Sequence, residues 1–260
     1  MLIDMQHISL RIGSRTILND ISVQIEAGKI IGLIGPNGAG KTSLLKILAN
    51  VQNEYTGNYD FSGKPIQHYT LKQLAKAFAY LAQDATAHWP LKVEKLIALG
   101  RIPFQGMSNR LNSNDYQAIQ KAVIQTDIEH LLGRIVTELS GGERARVFLA
   151  RLFAAEPSVI FLDEPIAALD PYHQLHVMEI LKEHAANGGT VVIVLHDLNL
   201  AARFCDELIL MDKGTIAAQG KIDDLLKNQL LEDIYGIQLK MFCQDDAYAI
   251  TPWKRRTKTT

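Results

Sequence analysis

Gly35-Pro36-Asn37-Gly38-Ala39-Gly40-Lys41-Thr42 follows directly on the apolar run Ile30-Ile31-Gly32-Leu33-Ile34. The order predicts a strand, a glycine-rich turn and a helix. Backbone N–H groups wrap a polyphosphate only where the chain curves tightly and comes close, and Gly35, Gly38 and Gly40 permit both. Lys41 adds a point charge suited to β- and γ-phosphates, and the Thr42 hydroxyl is suited to ligating Mg²⁺. The helix expected here, carrying Leu44, Leu45, Ile47 and Leu48, aims its positive dipole end at the same anion.

The surrounding composition bounds what such a loop serves. The 260 residues are 47% hydrophobic with a formal net charge of −1, enough for one sizeable core or a core with a small added lobe. Near-neutral charge argues against a dedicated nucleic-acid binder, which shows a basic excess. Cys205 and Cys243 lack the flanks of a redox or zinc pair, so two unpaired thiols in a reducing compartment are expected. Met1-Leu-Ile-Asp4 runs into polar residues, unlike a secretory signal. No apolar stretch reaches the roughly 18 residues that span a bilayer. A soluble, cytoplasmic chain is expected, with any membrane role arising through a partner.

Along the chain, Ile8-Ser-Leu10-Arg-Ile12 and Ile21-Ser-Val23-Gln-Ile25 alternate with period two, which predicts antiparallel strands with one polar face. Gly57 to Phe61 reads as a strand, Ser62 to Pro65 as a turn, and Ala77 to Leu81 as a strand stopping at Gln83. From about residue 84 to 155 the periodicity becomes helical, in Val93 to Leu99, Asp115 to Thr126 and a long segment from Ser140. Val159 to Leu162 and Val191 to Leu195 are continuous apolar runs, as in strands buried on both faces of a parallel sheet. Pro171 to Ala186 supplies the crossover helix. The basic tail Lys254 to Lys258 reads as a solvated end. The expected fold is α/β: a mostly parallel sheet, N-terminal antiparallel strands and an inserted helical subdomain, all within one domain over residues 1–260.

In open α/β sheets, ligands gather at the carboxyl ends of the strands. Those ends carry the loop at Gly35, then Gln83, Asp163-Glu164 and His196. One carboxylate after a buried strand holds Mg²⁺ directly or through water, and a second is left to accept a proton from attacking water. His196 is placed to hydrogen-bond a terminal phosphate, although an isolated histidine there would be ordinary packing.

Leu139-Ser140-Gly141-Gly142-Glu143 is the second diagnostic stretch. Ser140 and Glu143 have capping-box spacing, and Ala145, Leu149, Leu152 and Phe153 continue an apolar helical stripe. Two glycines in a first turn each lower helix propensity by about 1 kcal/mol. They leave bare N–H groups at a positive helix end, a second phosphate site. One chain does not easily bring both sites to one nucleotide, whereas a head-to-tail dimer does.

In the order of these motifs, together with Ala168-Leu169-Asp170, the chain resembles the nucleotide-binding subunit of ATP-binding-cassette (ABC) transporters over essentially its whole length. The resemblance implies a homodimer sandwiching two ATP molecules. Gly35, Pro36, Asn37, Gly38, Ala39, Gly40, Lys41, Thr42 and Ser43 of one copy then face Ser140, Gly141, Gly142 and Glu143 of the other. It implies Glu164 as general base, Asp163 and Gln83 helping to hold Mg²⁺ and water, His196 at the γ-phosphate, and Asp170 linking the two sites. It further implies transmembrane permease partners, no nucleic acid, and a peripheral position on the cytoplasmic face of the inner membrane.

Leu99-Gly100-Arg101-Ile-Pro103, Leu169 to Gln174, and His196 to Ala202 are similar to the subgroup serving importers of iron–siderophores, haem and cobalamin. Zinc, manganese and molybdate importer subunits remain alternatives. So does a soluble ABC-type ATPase of DNA repair or translation, although neither its coiled-coil insertion nor a second cassette fits in this length. Intact Glu164 and His196 argue against a non-catalytic nucleotide switch. One departure concerns Ile12, before Gly13, where the family commonly has an aromatic ring stacked on adenine. Ile166, after Glu164-Pro165, stands where Ser or Thr is common. His173 and His176 fall one helical turn apart but lack an acidic or cysteine partner at ligand spacing. Trp89, in His88-Trp89-Pro90, is either an interface anchor or an ordinary packed ring.

Overall fold

Alternating burial decides the first elements of the computed structural model, which describes residues 1–83, 85–106, 110–227, 229–244 and 247–256. Residue 84, where the helical insert is expected to begin, residues 257–258 of the basic tail and the Cys243 side chain lie outside the described residues. From the N-terminus come β1 (Ile3–Ile12), β2 (Arg15–Ile25), β3 (Ile30–Ile34), α1 (Lys41–Leu48), β4 (Thr56–Phe61) and the two-residue β5 (Lys64–Pro65). Then follow α2 (Leu71–Ala77), β6 (Phe78–Leu81), α3 (Val93–Ala98), α4 (Ser113–Gln125), α5 (Gly141–Phe153), β7 (Val159–Asp163) and α6 (Pro171–Ala186). The chain continues through β8 (Thr190–Val194), α7 (Leu198–Phe204), β9 (Glu207–Asp212) and β10 (Thr215–Gly220). It closes with α8 (Ile222–Lys227), α9 (Leu230–Tyr235) and the hairpin β11 (Ile237–Gln244) and β12 (Ala247–Arg255). No helix among the described residues is long and apolar enough to cross a membrane.

The chain divides into two compact units, Met1–His68 with Thr190–Thr260, and Tyr69–Gly189. In the first, β2-β1-β4-β5 form an antiparallel sheet. Ile3, Met5, Ile8 and Leu10 of β1, and Leu18, Ile21, Val23 and Ile25 of β2, are buried, while their neighbours face solvent. That is the period-two pattern of a sheet wetted on one side, interrupted once in each strand, at His7 and at Asp20, where φ turns positive and the register shifts. All five residues of β3 are buried, and β3 pairs in parallel with β8 on one side and β9 on the other. β10 adds antiparallel to β9. A Cβ on Gly32 would lie 2.6 Å from the Leu208 side chain and 2.9 Å from Cys205 Sγ, so glycine lets these layers close. Cys205 is a free thiol, and burial pushes its pKa up. α1 buries Leu44, Leu45, Ile47 and Leu48, each contributing about 1.5–3 kcal/mol by leaving water. The Tyr59 hydroxyl donates to Leu48 O at 2.7 Å and satisfies a carbonyl at the helix end.

In the second unit, β6 and β7 pair in parallel, with Phe78 and Phe161 edge to face at 5.2 Å. Between them lies the helical insert, where α3 and α4 pack on α5. Helix starts follow capping chemistry: Thr70 with Gln73 opens α2, Asn112 with Asp115 opens α4, and Ser140 with Glu143 opens α5. Gly100, in the 3-10 segment Leu99–Phe104, passes so close to α5 that a Cβ would meet Arg151 O at 2.2 Å. Arg101 beside it is buried. Its Nε donates to Asp115 Oδ1 at 2.8 Å, and its Nη1 donates to Ala154 O and Glu156 Oε2, each at 2.9 Å.

Candidate functional site

β3 ends at Ile34, and the next residue is already in the region glycine favours: Gly35 has φ 142° and Gly40 has φ 101°. A Cβ on Gly35 would lie 2.2 Å from Met211 O, so the tight turn tolerates no side chain there. Gly40 stands at the N-cap of α1 without any side-chain cap, and the first turn of α1 has no acidic residue. N–H groups at this helix start are thus presented to an incoming anion. Lys41 is buried, and its Nζ donates to Gly35 O at 2.8 Å and Pro36 O at 3.1 Å. The loop's own carbonyls place the cation over the turn. Pro36, Asn37 and Gly38 are accessible, and Thr42 and Ser43 are half-buried in the first turn of α1.

His196 also belongs to the first unit, two residues after β8, and is exposed. Asp197 fixes the start of α7, its Oδ1 accepting from Asn199 N at 2.7 Å and Leu200 N at 3.3 Å. Ile12 is 61% exposed at the end of β1, so its side chain is open to solvent at the position where the resembled family commonly has an aromatic ring.

The second unit holds the carboxylates. Asp163 is the last residue of β7 and 1% exposed. Its charge and burial push the neighbouring Tyr80 hydroxyl up to about 12, burial being the larger cause. That hydroxyl is buried without a hydrogen-bond partner. Glu164 follows in the left-handed region at φ 52°, a conformation that side chains other than glycine adopt at a cost of about 1–3 kcal/mol. Its Oε2 accepts from Gln83 Nε2 at 2.8 Å. A cleft of about 250 Å³ is lined by Gln83, Gly141, Arg144, Phe148, Glu164 and Ala168. Gln83, Glu164 and the glycine stretch at Gly141 are thereby brought to one place within this unit.

The capping box at Ser140 forms as the spacing implied. Glu143 N donates to Ser140 Oγ at 3.3 Å, and Ser140 N donates to Glu143 Oε2 at 2.8 Å. The Ser140 backbone N–H, as the largest cause, then the Ser140 hydroxyl and the Arg134 guanidinium hold the Glu143 carboxyl below its ordinary pKa. Asp170 N-caps α6, its Oδ1 accepting from His173 N at 3.0 Å and its Oδ2 meeting His173 Nδ1 at 2.8 Å. His176 Nε2 pairs with Gln125 O at 3.0 Å. Each of these histidines has a partner in the fold. Trp89 is 75% exposed, which answers the choice between packing and exposure. Sequence reasoning missed Tyr235, whose hydroxyl accepts from Gly35 N at 2.8 Å across 200 residues. No spacing rule carries a signal over that distance.

Comparison with known proteins agrees with this geometry. A family model described as ABC transporter matches residues 18–167. The ferric enterobactin transport ATP-binding protein of Escherichia coli (strain K12) is 38% identical, covering 95% of this chain and 91% of its own length. The hemin import ATP-binding protein of Thermobifida fusca is 36% identical, over 91% of this chain and 82% of its own. Among solved structures, a nucleotide-free ATP-binding cassette superposes with TM-score 0.79 at 24% identity, covering 90% of this chain and 98% of the other. A cassette determined as a dimer, bound to ADP and Pi after hydrolysis, gives 0.74 at 22% identity, over 85% and 99%. These two support the fold: an N-terminal antiparallel sheet, mostly parallel core strands and a helical insert.

Proposed function

Because this chain belongs to the ABC transporter family, we propose that it is the ATP-hydrolysing subunit of a membrane importer for an iron chelate of the siderophore or haem type. The observation that carries the chemistry is the loop from Gly35 to Lys41, with its lysine held on loop carbonyls at the uncapped start of α1. The names of the ferric enterobactin and hemin relatives carry the cargo.

In this reading the loop N–H groups and Lys41 bind the triphosphate, drawing off the negative charge that develops during phosphoryl transfer. Glu164 accepts the proton of the attacking water, and Gln83 orients the Glu164 carboxylate. His196 hydrogen-bonds the γ-phosphate. Thr42, Gln83 and Asp163 offer hard oxygen donors of the kind Mg²⁺ takes, and the orphaned Tyr80 hydroxyl beside Asp163 marks polar surroundings that suit a cation. Mg²⁺, when bound, neutralises phosphate charge. A second copy brings its Ser140, Gly141, Gly142 and Glu143 to the same nucleotide, and Asp170 links the paired sites. The subunit then sits peripherally on the cytoplasmic face of the membrane through its permease, without nucleic acid.

The test is ATP hydrolysis by the purified chain, alone and in vesicles with its co-expressed permease, at several Mg²⁺ concentrations. Hydrolysis that is Mg²⁺-dependent and drives uptake of a ferric chelate or haem is expected. A chain that binds ATP but hydrolyses none with the permease present overturns the catalytic reading. ATP-driven uptake of another solute class alone overturns the cargo.

A further inference from the structure

Gly35 is held through both of the peptide groups that flank its Cα. Its N–H donates to the Tyr235 hydroxyl at 2.8 Å, and its carbonyl accepts from Lys41 Nζ at 2.8 Å. Tyr235 is the last residue of α9, which stops at Gly236 in the left-handed region. Burial pushes the Tyr235 hydroxyl up from its ordinary value, so it stays protonated and neutral through the physiological range.

A helix of six residues does not hold itself in place. The hairpin holds it. Arg256, just past β12, donates from Nη2 to Glu232 Oε2 at 2.6 Å and from Nη1 to Asp233. Its backbone N–H donates to Gly236 O at 2.9 Å, and Glu232 Oε1 accepts from Leu239 N at 2.6 Å. On β12, Ile250 is 2% exposed, and its N–H donates to Asn199 Oδ1 in α7 at 2.6 Å. The C-terminal segment therefore grips the rest of the first unit twice. One grip is on Gly35, and the other is on the helix that starts two residues after His196.

We propose that Tyr235 is a positioning residue for the phosphate loop, and that α9, β11 and β12 with Arg256 form a clamp setting how tightly that loop holds a nucleoside triphosphate. The proposal rests on the nucleotide-binding reading above. Gly35 is buried, so its N–H has to find a partner within the fold. Tyr235 is that partner. Removing the hydroxyl leaves the donor unpaired, and the loop relaxes to recover a bond elsewhere. The shift passes through the two backbone torsions of Gly35 to its carbonyl, and so takes the Lys41 ammonium out of its set position. Binding then has to reorder what the clamp had ordered in advance.

Tyr235→Phe in the full chain keeps the ring and removes only the hydroxyl. Binding of a ribose-labelled fluorescent ATP analogue gives Kd, and steady-state hydrolysis separates KM from kcat. Tyr235→Phe should raise Kd and KM about three- to tenfold, with a smaller change in kcat. Arg256→Met, remote from the loop, should raise Kd in the same direction. The double variant should fall well short of the product of the two effects, because both act through one contact. A wild-type chain that binds no nucleotide overturns the nucleotide reading itself. A wild type that binds, beside a Tyr235→Phe chain binding equally well, overturns the clamp. Fully multiplicative effects in the double variant sever the hairpin from Tyr235 and overturn its role.

Discussion

Gln83 Nε2 donates to Glu164 Oε2 at 2.8 Å, tying the residue two positions past β6 to the one that follows β7. The amide fixes the plane of the carboxylate, and the left-handed backbone at Glu164 turns the side chain off the strand line. Glu164→Gln should keep nucleotide binding while slowing hydrolysis about 10²–10⁴-fold. It should also accumulate an ATP-bound dimer, visible on size exclusion with ATP and Mg²⁺. Normal turnover by this variant removes Glu164 from the role of base.

Gly141 separates folding from function. A Cβ there meets nothing within 4 Å, and its backbone lies outside the left-handed range, so the subunit itself accommodates alanine. Alanine is the better helix former by up to about 1 kcal/mol. Gly141→Ala should therefore melt at or above the wild-type temperature. ATP-driven dimerisation and hydrolysis should nevertheless fall, by about tenfold or more, if a second copy's phosphate must approach that backbone. A stable variant with full hydrolysis shows that no phosphate comes close to Gly141.

The glycine loop, the two carboxylates and the capping box were legible in the sequence because their chemistry is local. A few consecutive residues suffice to specify each, and Ser140 bonds Glu143 as the spacing implied. Strand type was legible in burial periodicity, as the fully buried β3, β7 and β8 show. What stayed hidden depends on distant pairing. The Arg101–Asp115 bond, the approach of Gly100 to Arg151 and the reach of Tyr235 to Gly35 join residues that share no motif. In the sequence Gly100 and Arg101 carry only a subgroup resemblance, and the structure gives them a packing reason.

Asp115 is 0% exposed and carries two duties. Its Oδ2 accepts from Asn112 N at 2.9 Å, completing the α4 cap, and its Oδ1 accepts from Arg101. Asn112, as the larger cause, and then Arg101 hold its carboxyl below the ordinary value. A depressed carboxylate stabilises the fold above its unfolded pKa and loses that contribution as pH falls through its folded one. Asp115→Asn takes one of two counter-charges from buried Arg101, leaving it Glu156, and should cost about 1.5–3 kcal/mol near neutrality. The cost should shrink as pH is lowered below the ordinary carboxylate range. Denaturant midpoints taken from pH 7 to 3 check both parts, and a cost independent of pH refutes the linkage.

Trp89 and Leu99 expose apolar side chains on the segment between Gln83 and Arg101, and Ile102 just past it does the same. A permease helix with an apolar end suits such a surface. Replacing Trp89 and Leu91 together with Asp should abolish co-purification with the permease, since charges then enter a desolvated contact. Nucleotide titration of the free double variant should match wild type. Assembly that survives both replacements moves the docking surface elsewhere.

The discontinuous first unit has a consequence for synthesis. β3 finds its two strand partners only in β8 and β9, so residues 30–34 wait for residues 190–212 to leave the ribosome. At ordinary elongation rates that interval is on the order of ten seconds. Throughout it, the stretch Ile30-Ile31-Gly32-Leu33-Ile34 has no strand to pair with and is wholly apolar apart from its glycine. Residues 69–189 emerge during that interval and are complete just before β8 appears, so they can fold without it. A nascent chain arrested before residue 190 should thus resist protease over 69–189 while remaining cleavable, and bound by chaperones, around β3.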